Sequence, residues 1–454
     1  MRTLPELRSI VGEAGLRDAD DARFWRDATE AQGLSGRPDA VVLPATREEV
    51  AAVVAWCYAH DVAIVPRGGG SGFSGGAVPV DGGVVVDLQR MSRVRAFDPL
   101  LWRINVEAGL RTGEIHRLAR ENGLSFPPDP GASEQSQIGG NIATNAGGPH
   151  AFKYGVTGRW VTGLEAVVAP GELIHVGGPI RKDVAGYDLK GLLIGSEGTL
   201  GIVTAAWLRL MPAPEAAAPV AAFYRDARTG CAAIETILGS GIQPAAIELL
   251  DAGALDAARD AAPFTVPPEA TFMVITEADG SVAETAAVAA ELREALADGA
   301  LALHAPATAS ETAALWRWRD GMAFAVSAIR GGKVSEDIAV PLDRLADAIE
   351  ATLAIGARHG LDACTWGHAG DGNLHSTFLV NPRDDDELAR AHAAAVELYE
   401  AAAAMDGTIS GEHGLGWVKR GHLDAQWSPA TIGVHEAIKR ALDPKNLFNP
   451  GKKR

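Results

Sequence analysis

The stretch Pro66-Arg67-Gly68-Gly69-Gly70-Ser71-Gly72-Phe73-Ser74-Gly75-Gly76 decides how the rest of the chain is read. Its six glycines and two serines leave a run of backbone N–H groups almost unshielded by side chains. Glycine tolerates positive φ and close approach to its backbone, so successive amides can converge on phosphate oxygens. The competing reading is a mobile surface linker. Against it, the run follows an apolar strand candidate, Val62-Ala63-Ile64-Val65, and precedes another, Val84-Val85-Val86-Asp87-Leu88. Order on both sides argues for an ordered loop that binds a phosphorylated ligand.

Gly70, Gly72 and Gly75 also spell the dinucleotide fingerprint, but that motif needs a helix opening directly after the glycines. Here the run continues into Ala77-Val78-Pro79-Val80-Asp81-Gly82-Gly83 and then a strand, which excludes a Rossmann nicotinamide site at this loop. No Gly-Lys-Ser/Thr closes the run, so a P-loop is excluded as well.

The chain of 454 residues is long enough for two or three domains, and 47% hydrophobic with 22% charged residues is the composition of a soluble globular protein. A net charge of −17 argues against a nucleic-acid partner while leaving room for a small anion in a locally basic site. Met1 to Arg8 carries charges where a secretory signal needs an apolar run, and no apolar stretch is long enough to span a bilayer. The expected location is cytoplasmic, with peripheral contact to a membrane as the alternative. Cys57, Cys231 and Cys364 stand alone, so neither a disulfide framework nor an iron–sulfur cluster is expected.

Outward from the loop, a helix from Arg47 to His60 presents Val50, Val53, Val54 and Cys57 on one face, after the strand candidate Ala40-Val41-Val42-Leu43. A proline-rich connection at 210–219 marks a domain boundary. Beyond it, strand candidates at Ile247–Leu250, Phe272–Glu277, Ala300–His304, Asp337–Val340 and Cys364–Leu379 alternate with helices at Val282–Ala297, Leu342–His359 and Asp386–Met405. This half reads as α+β with an antiparallel sheet.

Two further small-residue regions follow the glycine loop. One runs from Pro127-Pro128-Asp129-Pro130-Gly131 to Ile138-Gly139-Gly140-Asn141-Ile142-Ala143-Thr144-Asn145-Ala146-Gly147-Gly148, the other from Gly195 through Glu197 and Gly198 to Thr204. With Lys153-Tyr154-Gly155 and Gly186-Tyr187-Asp188-Leu189, these stretches closely resemble the FAD-linked oxidases and dehydrogenases of the vanillyl-alcohol oxidase and p-cresol methylhydroxylase superfamily, in order and nearly end to end.

The resemblance implies an FAD-binding domain of the p-cresol methylhydroxylase type over 1–214, with a helical N-terminal segment. A substrate and metal-binding α+β cap domain would fill 215–454, its closing Asn446–Lys452 segment returning to the first domain. FAD would lie against Pro66, Arg67, Gly68, Gly69, Gly70, Ser71, Gly72, Ser74 and Gly75 in the first loop. Pro128, Asp129, Ser133, Gly139, Gly140, Asn141, Ala143, Thr144, Asn145, Gly148 and Tyr154 would flank it in the second region, and Glu197, Gly198, Ile202 and Asn449 elsewhere. No histidine stands between Arg67 and Gly76 to tether the flavin, so non-covalent FAD is expected.

Trp366-Gly367-His368-Ala369-Gly370-Asp371-Gly372-Asn373-Leu374-His375 carries two imidazoles across a glycine-rich bend, and Gly411-Glu412-His413-Gly414 adds a carboxylate beside a third. Two histidines and a glutamate form a divalent-metal set with positions left open for substrate. A lone histidine is more often structural, but this clustering favours ligands. The segments resemble the D-2-hydroxy-acid dehydrogenase branch, with its D-lactate, D-2-hydroxyglutarate and glycolate enzymes. By that resemblance His368, His375 and Glu412 bind the metal, zinc before manganese or iron, with His413 as base and Asn373 as a substrate contact.

Oxidising a 2-hydroxy acid moves hydride from Cα to flavin N5 while the hydroxyl loses its proton, and a metal on that oxygen stabilises the developing alkoxide. The substrate carboxylate needs a fork of donors; Trp316-Arg317-Trp318-Arg319 offers two arginines, and the family pattern favours Arg319. The 2-hydroxyglutarate enzymes carry a lysine two places before the aspartate, whereas this chain has Ser335 there and Lys333 further back. That departure tilts the expectation to a lactate-like monocarboxylate. Electrons would leave to a cytochrome, a quinone or an electron-transfer flavoprotein, and oligomeric state stays open. Two alternatives remain: flavin-dependent alkyl transfer of the alkylglycerone-phosphate-synthase kind, and a non-enzymatic flavin- or metal-binding protein.

Overall fold

The computed structural model describes residues 4–29 and 33–454, so the expectation placed on Met1 to Thr3 lies outside the described residues. In the N-terminal half, a small sheet takes the order Leu16–Arg17, Ala40–Val42, Val84–Asp87, Ile64–Arg67. Ala40–Val42 and Ile64–Arg67 both pair parallel with Val84–Asp87, and the helix Arg47–His60 is the crossover between them. Thr46 caps this helix by accepting from the Glu49 N–H, and Asp61 ends it at φ 54°. The Val62 N–H donates back to the Cys57 carbonyl at 3.0 Å. This is why the strand begins at Ile64 rather than at Val62.

A second sheet was not foreseen from the sequence. It is antiparallel, in the order Val94–Asp98, Arg103–Glu107, Ile202–Arg209, Val161–Val168, Glu172–Gly177. Val42, Val54, Ile104, Val106, Ile138, Val167 and Phe448 share one core between these layers.

The C-terminal half is a seven-stranded antiparallel sheet in the order Ala302–His304, Ala216–Tyr224, Phe272–Gly280, Ala246–Leu250, Ala363–His368, Asn373–Val380, Gly332–Ala339. One face packs on the helices Ala227–Gly239, Val282–Leu296, Leu345–Arg358 and Asp385–Ala404. Opposite them lie Ala252–Ala258, Ala309–Asp320 and Met322–Arg330. The strand Ala216–Tyr224 begins inside the stretch read as a proline-rich connection. Its neighbour Ala302–His304 reaches only Ala221 to Phe223, so Pro219 sits where no ladder partner needs its missing N–H.

The chain end joins the first half. Ile64 N–H donates to the Leu447 carbonyl at 2.7 Å and Asn449 N–H to the Ile64 carbonyl at 2.8 Å. The return begins before Asn446, because Ile438 and Leu442 of the helix Pro429–Leu442 already pack on the first core. His150 bridges the halves, 2.6 Å from Asp129 and 2.9 Å from Glu277, to which the Trp316 indole N–H also donates at 2.6 Å.

Candidate active site

A single cavity of about 420 Å³ is lined both by the glycine loop and by the histidine cluster. These two stretches stand on opposite sides of the domain boundary in sequence, yet they do not form separate sites. The Ser74 hydroxyl donates to the His413 carbonyl at 3.0 Å, and Glu197 accepts from the N–H groups of Leu415 and Gly416 at 3.0 and 2.6 Å.

On the loop side the amide N–H groups of Gly69 to Phe73 donate to no other group among the described residues. A Cβ on Gly69 would stand 2.2 Å from the Gln135 carbonyl oxygen, and Gly70 holds φ +67°. Gly68 faces Gly140, the Cβ position of one lying 3.4 Å from the Cα of the other. Gly139 and Gly140 lie in a short helix, Ile138–Thr144, rather than an irregular loop. Unspent amide donors backed by glycines are what an anionic pyrophosphate requires, and these residues fit FAD.

Of the expected flavin contacts, Pro66 to Gly72, Ser74, Gly139 to Asn141, Ala143, Thr144, Gly148, Glu197, Gly198 and Ile202 line this cavity. Arg67 does so with its guanidinium spent, since it donates to the carbonyls of Arg23 and Arg26 at 2.9 and 2.8 Å and so holds the loop. Gly75, Pro128, Asp129, Ser133, Asn145, Tyr154 and Asn449 are not part of the lining. They build the wall from behind. The Gly75 N–H donates to Thr29, the Pro128 carbonyl lies 2.8 Å from His116, and Asp129 pairs with His150. The Ser133 carbonyl accepts from Gly113, Asn145 accepts from the Gly158 N–H, Tyr154 donates to Asp279, and Asn449 donates to the carbonyls of Gly76 and Glu197.

The histidine side is made by strand register. Glu248 pairs with His368, while Asp337 and Trp366 flank His375 in the next row. Because side chains alternate along a strand, these rows put Lys333, Ser335 and Asp337 on the same face as His368 and His375. The buried Asp337 carboxylate then accepts from the N–H groups of Glu412 and His413, the Ser410 hydroxyl at 3.0 Å and the Asn373 amide at 2.7 Å. That winds the Ser410–His413 segment over the sheet. The Nε2 atoms of His368, His375 and His413 stand 3.5, 3.7 and 3.6 Å from Glu412 Oε1.

Those separations are long for hydrogen bonds and match donors sharing one ion, since two ligands about 2.1 Å from a metal at a tetrahedral angle lie roughly 3.4 Å apart. The residues fit a divalent ion. Asp337 also lies within reach of His375, Glu412 and His413. His368 lies outside that group, and both Asp337 oxygens are committed to the segment it holds.

The sequence reading missed Glu248, which is fully buried. Its Oε1 lies 2.7 Å from His368 Nδ1, and its Oε2 accepts from Arg319 Nε at 2.7 Å. It thereby turns His368 Nε2 toward Glu412. The available signal was a glutamate within the apolar run Ala246–Leu250. Against the burial that would lower it, Glu248 and Glu412 hold the His368 ring well above its ordinary value. Burial together with the charges of His413 and His368 pushes His375 well below. Glu412, despite its burial, is pulled to about 2 by His368, His375 and His413.

Arg319 lines the cavity with its Nε and Nη2 both committed to Glu248. Asn373 does not reach the cavity. Its amide donates to Asp337 and to the Ile338 carbonyl at 2.9 Å, so it is a support for the site rather than the expected substrate contact. Lys333 does line the cavity beside Ser335 and Trp366, and its ammonium donates to the Ala323 carbonyl and Ser327 hydroxyl, both at 3.2 Å.

Residues 38–177 match the family profile of the FAD binding domain, and residues 213–453 that of the FAD linked oxidases, C-terminal domain. The chain belongs to the FAD-linked oxidases. This FAD-linked oxidase is 36% identical over 449 residues to "Glycolate oxidase subunit GlcD" of Bacillus subtilis (strain 168), covering 98% of this chain and 95% of that one. It is 34% identical to "Probable D-lactate dehydrogenase, mitochondrial" of Danio rerio, over 99% of this chain and 91% of the relative. It is 36% identical to "D-2-hydroxyglutarate dehydrogenase" of Xanthomonas citri pv. viticola, over 96% and 92%. The fold superposes on p-cresol methylhydroxylase with a TM-score of 0.82 at 18% identity, covering 99% of this chain and 95% of that one. The chain is therefore a flavin-dependent oxidoreductase of the p-cresol methylhydroxylase fold.

Proposed function

We propose that this protein oxidises a D-2-hydroxy acid, lactate-like in size, to the 2-oxo acid. The observation that carries the reading is the convergence of three imidazole nitrogens on Glu412 Oε1 in the cavity that also holds the unspent loop amides. When bound, FAD supplies the hydride acceptor and a divalent ion, zinc before manganese or iron, supplies the charge that stabilises an alkoxide. His368, His375 and Glu412 hold the ion. His413, whose carbonyl is pinned by Ser74, takes the hydroxyl proton at its imidazole. Arg319, held through both Nε and Nη2 by Glu248, turns its Nη1 to the substrate carboxylate.

The similarity to proteins named for glycolate, D-lactate and D-2-hydroxyglutarate supports a 2-hydroxy acid without choosing among them. A second reading, a dicarboxylate, gains support from Lys333. It lies two residues from Ser335 on the same strand face, so the altered pattern shifts a cation along the cavity wall instead of removing it. Anaerobic mixing of the holoprotein with the D and L forms of lactate and 2-hydroxyglutarate, and with glycolate, separates the readings by flavin absorbance. D-lactate or glycolate should bleach the flavin, and L-lactate should not. No bleaching by any hydroxy acid would overturn the proposal in favour of non-redox flavin chemistry.

A further inference from the structure

The five-stranded sheet has two ends. Ala108, Ile202 and Val203 line the cavity at one, while Arg103 and its register partner Arg209 mark the other, seven residues along the strand from Ile202 and so roughly 23 Å away. At that far end the chain turns through Pro99–Leu101, with Asp98 accepting from the Leu101 N–H at 3.2 Å. This turn presents Leu100 at 89% exposure and Leu101 at 54%. Ile180, half exposed, lines the same hollow and adds a third apolar side chain.

Under these apolar groups lie three arginines, each over an indole. Arg181 stands 5.3 Å from the Trp102 ring centre, Arg103 5.9 Å from Trp207 and Arg209 4.4 Å from Trp160. All three line one hollow of about 350 Å³. Asp98 meets Arg103 at 3.2 Å, but no carboxylate meets Arg181 or Arg209 among the described residues. Asp183, two residues from Arg181, is turned to the Ala185 N–H. The Nε atoms of Arg103 and Arg209 are buried without a partner. In a chain of net charge −17, this is a cationic hollow rimmed by exposed Leu100, Leu101 and Ile180.

We propose that this end of the sheet is a binding surface for anionic phospholipid, through which the protein attaches peripherally to a bilayer. A free anion would satisfy the guanidinium groups and leave the apolar rim in water. A bilayer surface satisfies both, because phosphates meet the arginines while leucine and isoleucine side chains enter the boundary between headgroups and acyl chains. The distance from the cavity makes the surface an anchor rather than a route for electrons.

The holoprotein is sedimented with vesicles of phosphatidylcholine alone or mixed with phosphatidylglycerol. Binding should require phosphatidylglycerol and weaken as salt rises. Arg181→Glu and the double change Leu100→Ser with Leu101→Ser alter exposed side chains only. Each should lower vesicle affinity roughly five- to tenfold and leave flavin reduction by hydroxy acid unchanged. Equal binding to both vesicle types, or binding unaffected by both variants, would overturn the proposal. So would full displacement by millimolar inorganic phosphate, which would assign the hollow to a soluble anion. Loss of a dimer in the leucine variant without any vesicle binding would assign the face to a second copy of the chain.

Discussion

On its loop side the cavity is walled by backbone, and on its histidine side by side chains delivered from several strands and a distant segment. Gly68, Gly69, Gly70 and Gly72 work by what they lack, on a loop held from behind by Arg67 and backed by Gln135 and Gly140. His368, His375 and Glu412 converge only because the strands pair in one register and Asp337 binds the Ser410–His413 segment. The first wall should therefore fail locally, with loss of one ligand. The second should fail cooperatively, because its members hold one another.

The largest expected effect comes from Glu248, which pairs the Arg319 guanidinium and the His368 ring while fully buried. Glu248→Ala leaves the buried Arg319 guanidinium without its carboxylate and should cost about 3–5 kcal/mol of stability, read by urea unfolding. Glu248→Gln keeps the shape and should cost less. Both should lower bound metal, read by elemental analysis, while folded protein keeps its FAD. Metal content equal to wild type in both variants would show that Glu248 does not position the cluster.

The opposite wall is broken at Gly70, where φ is +67° and a Cβ would stand 2.2 Å from the Arg67 guanidinium. Gly70→Val carries a left-handed penalty of about 1–2 kcal/mol, plus the displacement of Arg67. It should reduce FAD occupancy, measured as flavin per protein, while metal content holds. Joint loss of both would mean the two walls are not independent.

A smaller effect sits at the join. Burial disfavours the charged His150 ring, but Asp129 and Glu277 outweigh it and push it up to about 11, from 6.5. A raised folded value means that this bridge contributes fully below about pH 6.5 and progressively less as pH rises toward 11. The loss is bounded by about 1.4 kcal/mol per pH unit. Unfolding of wild type and His150→Gln between pH 7 and pH 10 should show a shallower decline in the variant; parallel declines would contradict it.

The same contrast governs what could be read before the fold was known. The glycine loop, the Arg47–His60 helix and the paired histidine segments are local patterns, with chemistry written in neighbouring residues. Glu248, Asp337 and His150 gain their roles from residues far along the chain, and nothing beside them in sequence names the partner. Asn373, which the family resemblance makes a substrate contact, instead spends its amide N–H groups on Asp337 and the Ile338 carbonyl, partners far from it in sequence. The Ala216–Tyr224 strand was hidden by Pro219, whose tolerance depends on where the edge strand stops.

The central claim is that the histidine wall does chemistry that the flavin wall cannot do alone. It is tested most directly by single-turnover flavin reduction with D-lactate in chelated and metal-reloaded holoprotein, with metal and FAD content measured on the same samples. The chelated protein should remain folded and yellow and reduce its flavin on the order of a hundred- to a thousandfold more slowly, with recovery on reloading. Native-rate reduction in protein shown to be metal-free would make the cluster of His368, His375 and Glu412 structural and contradict the account.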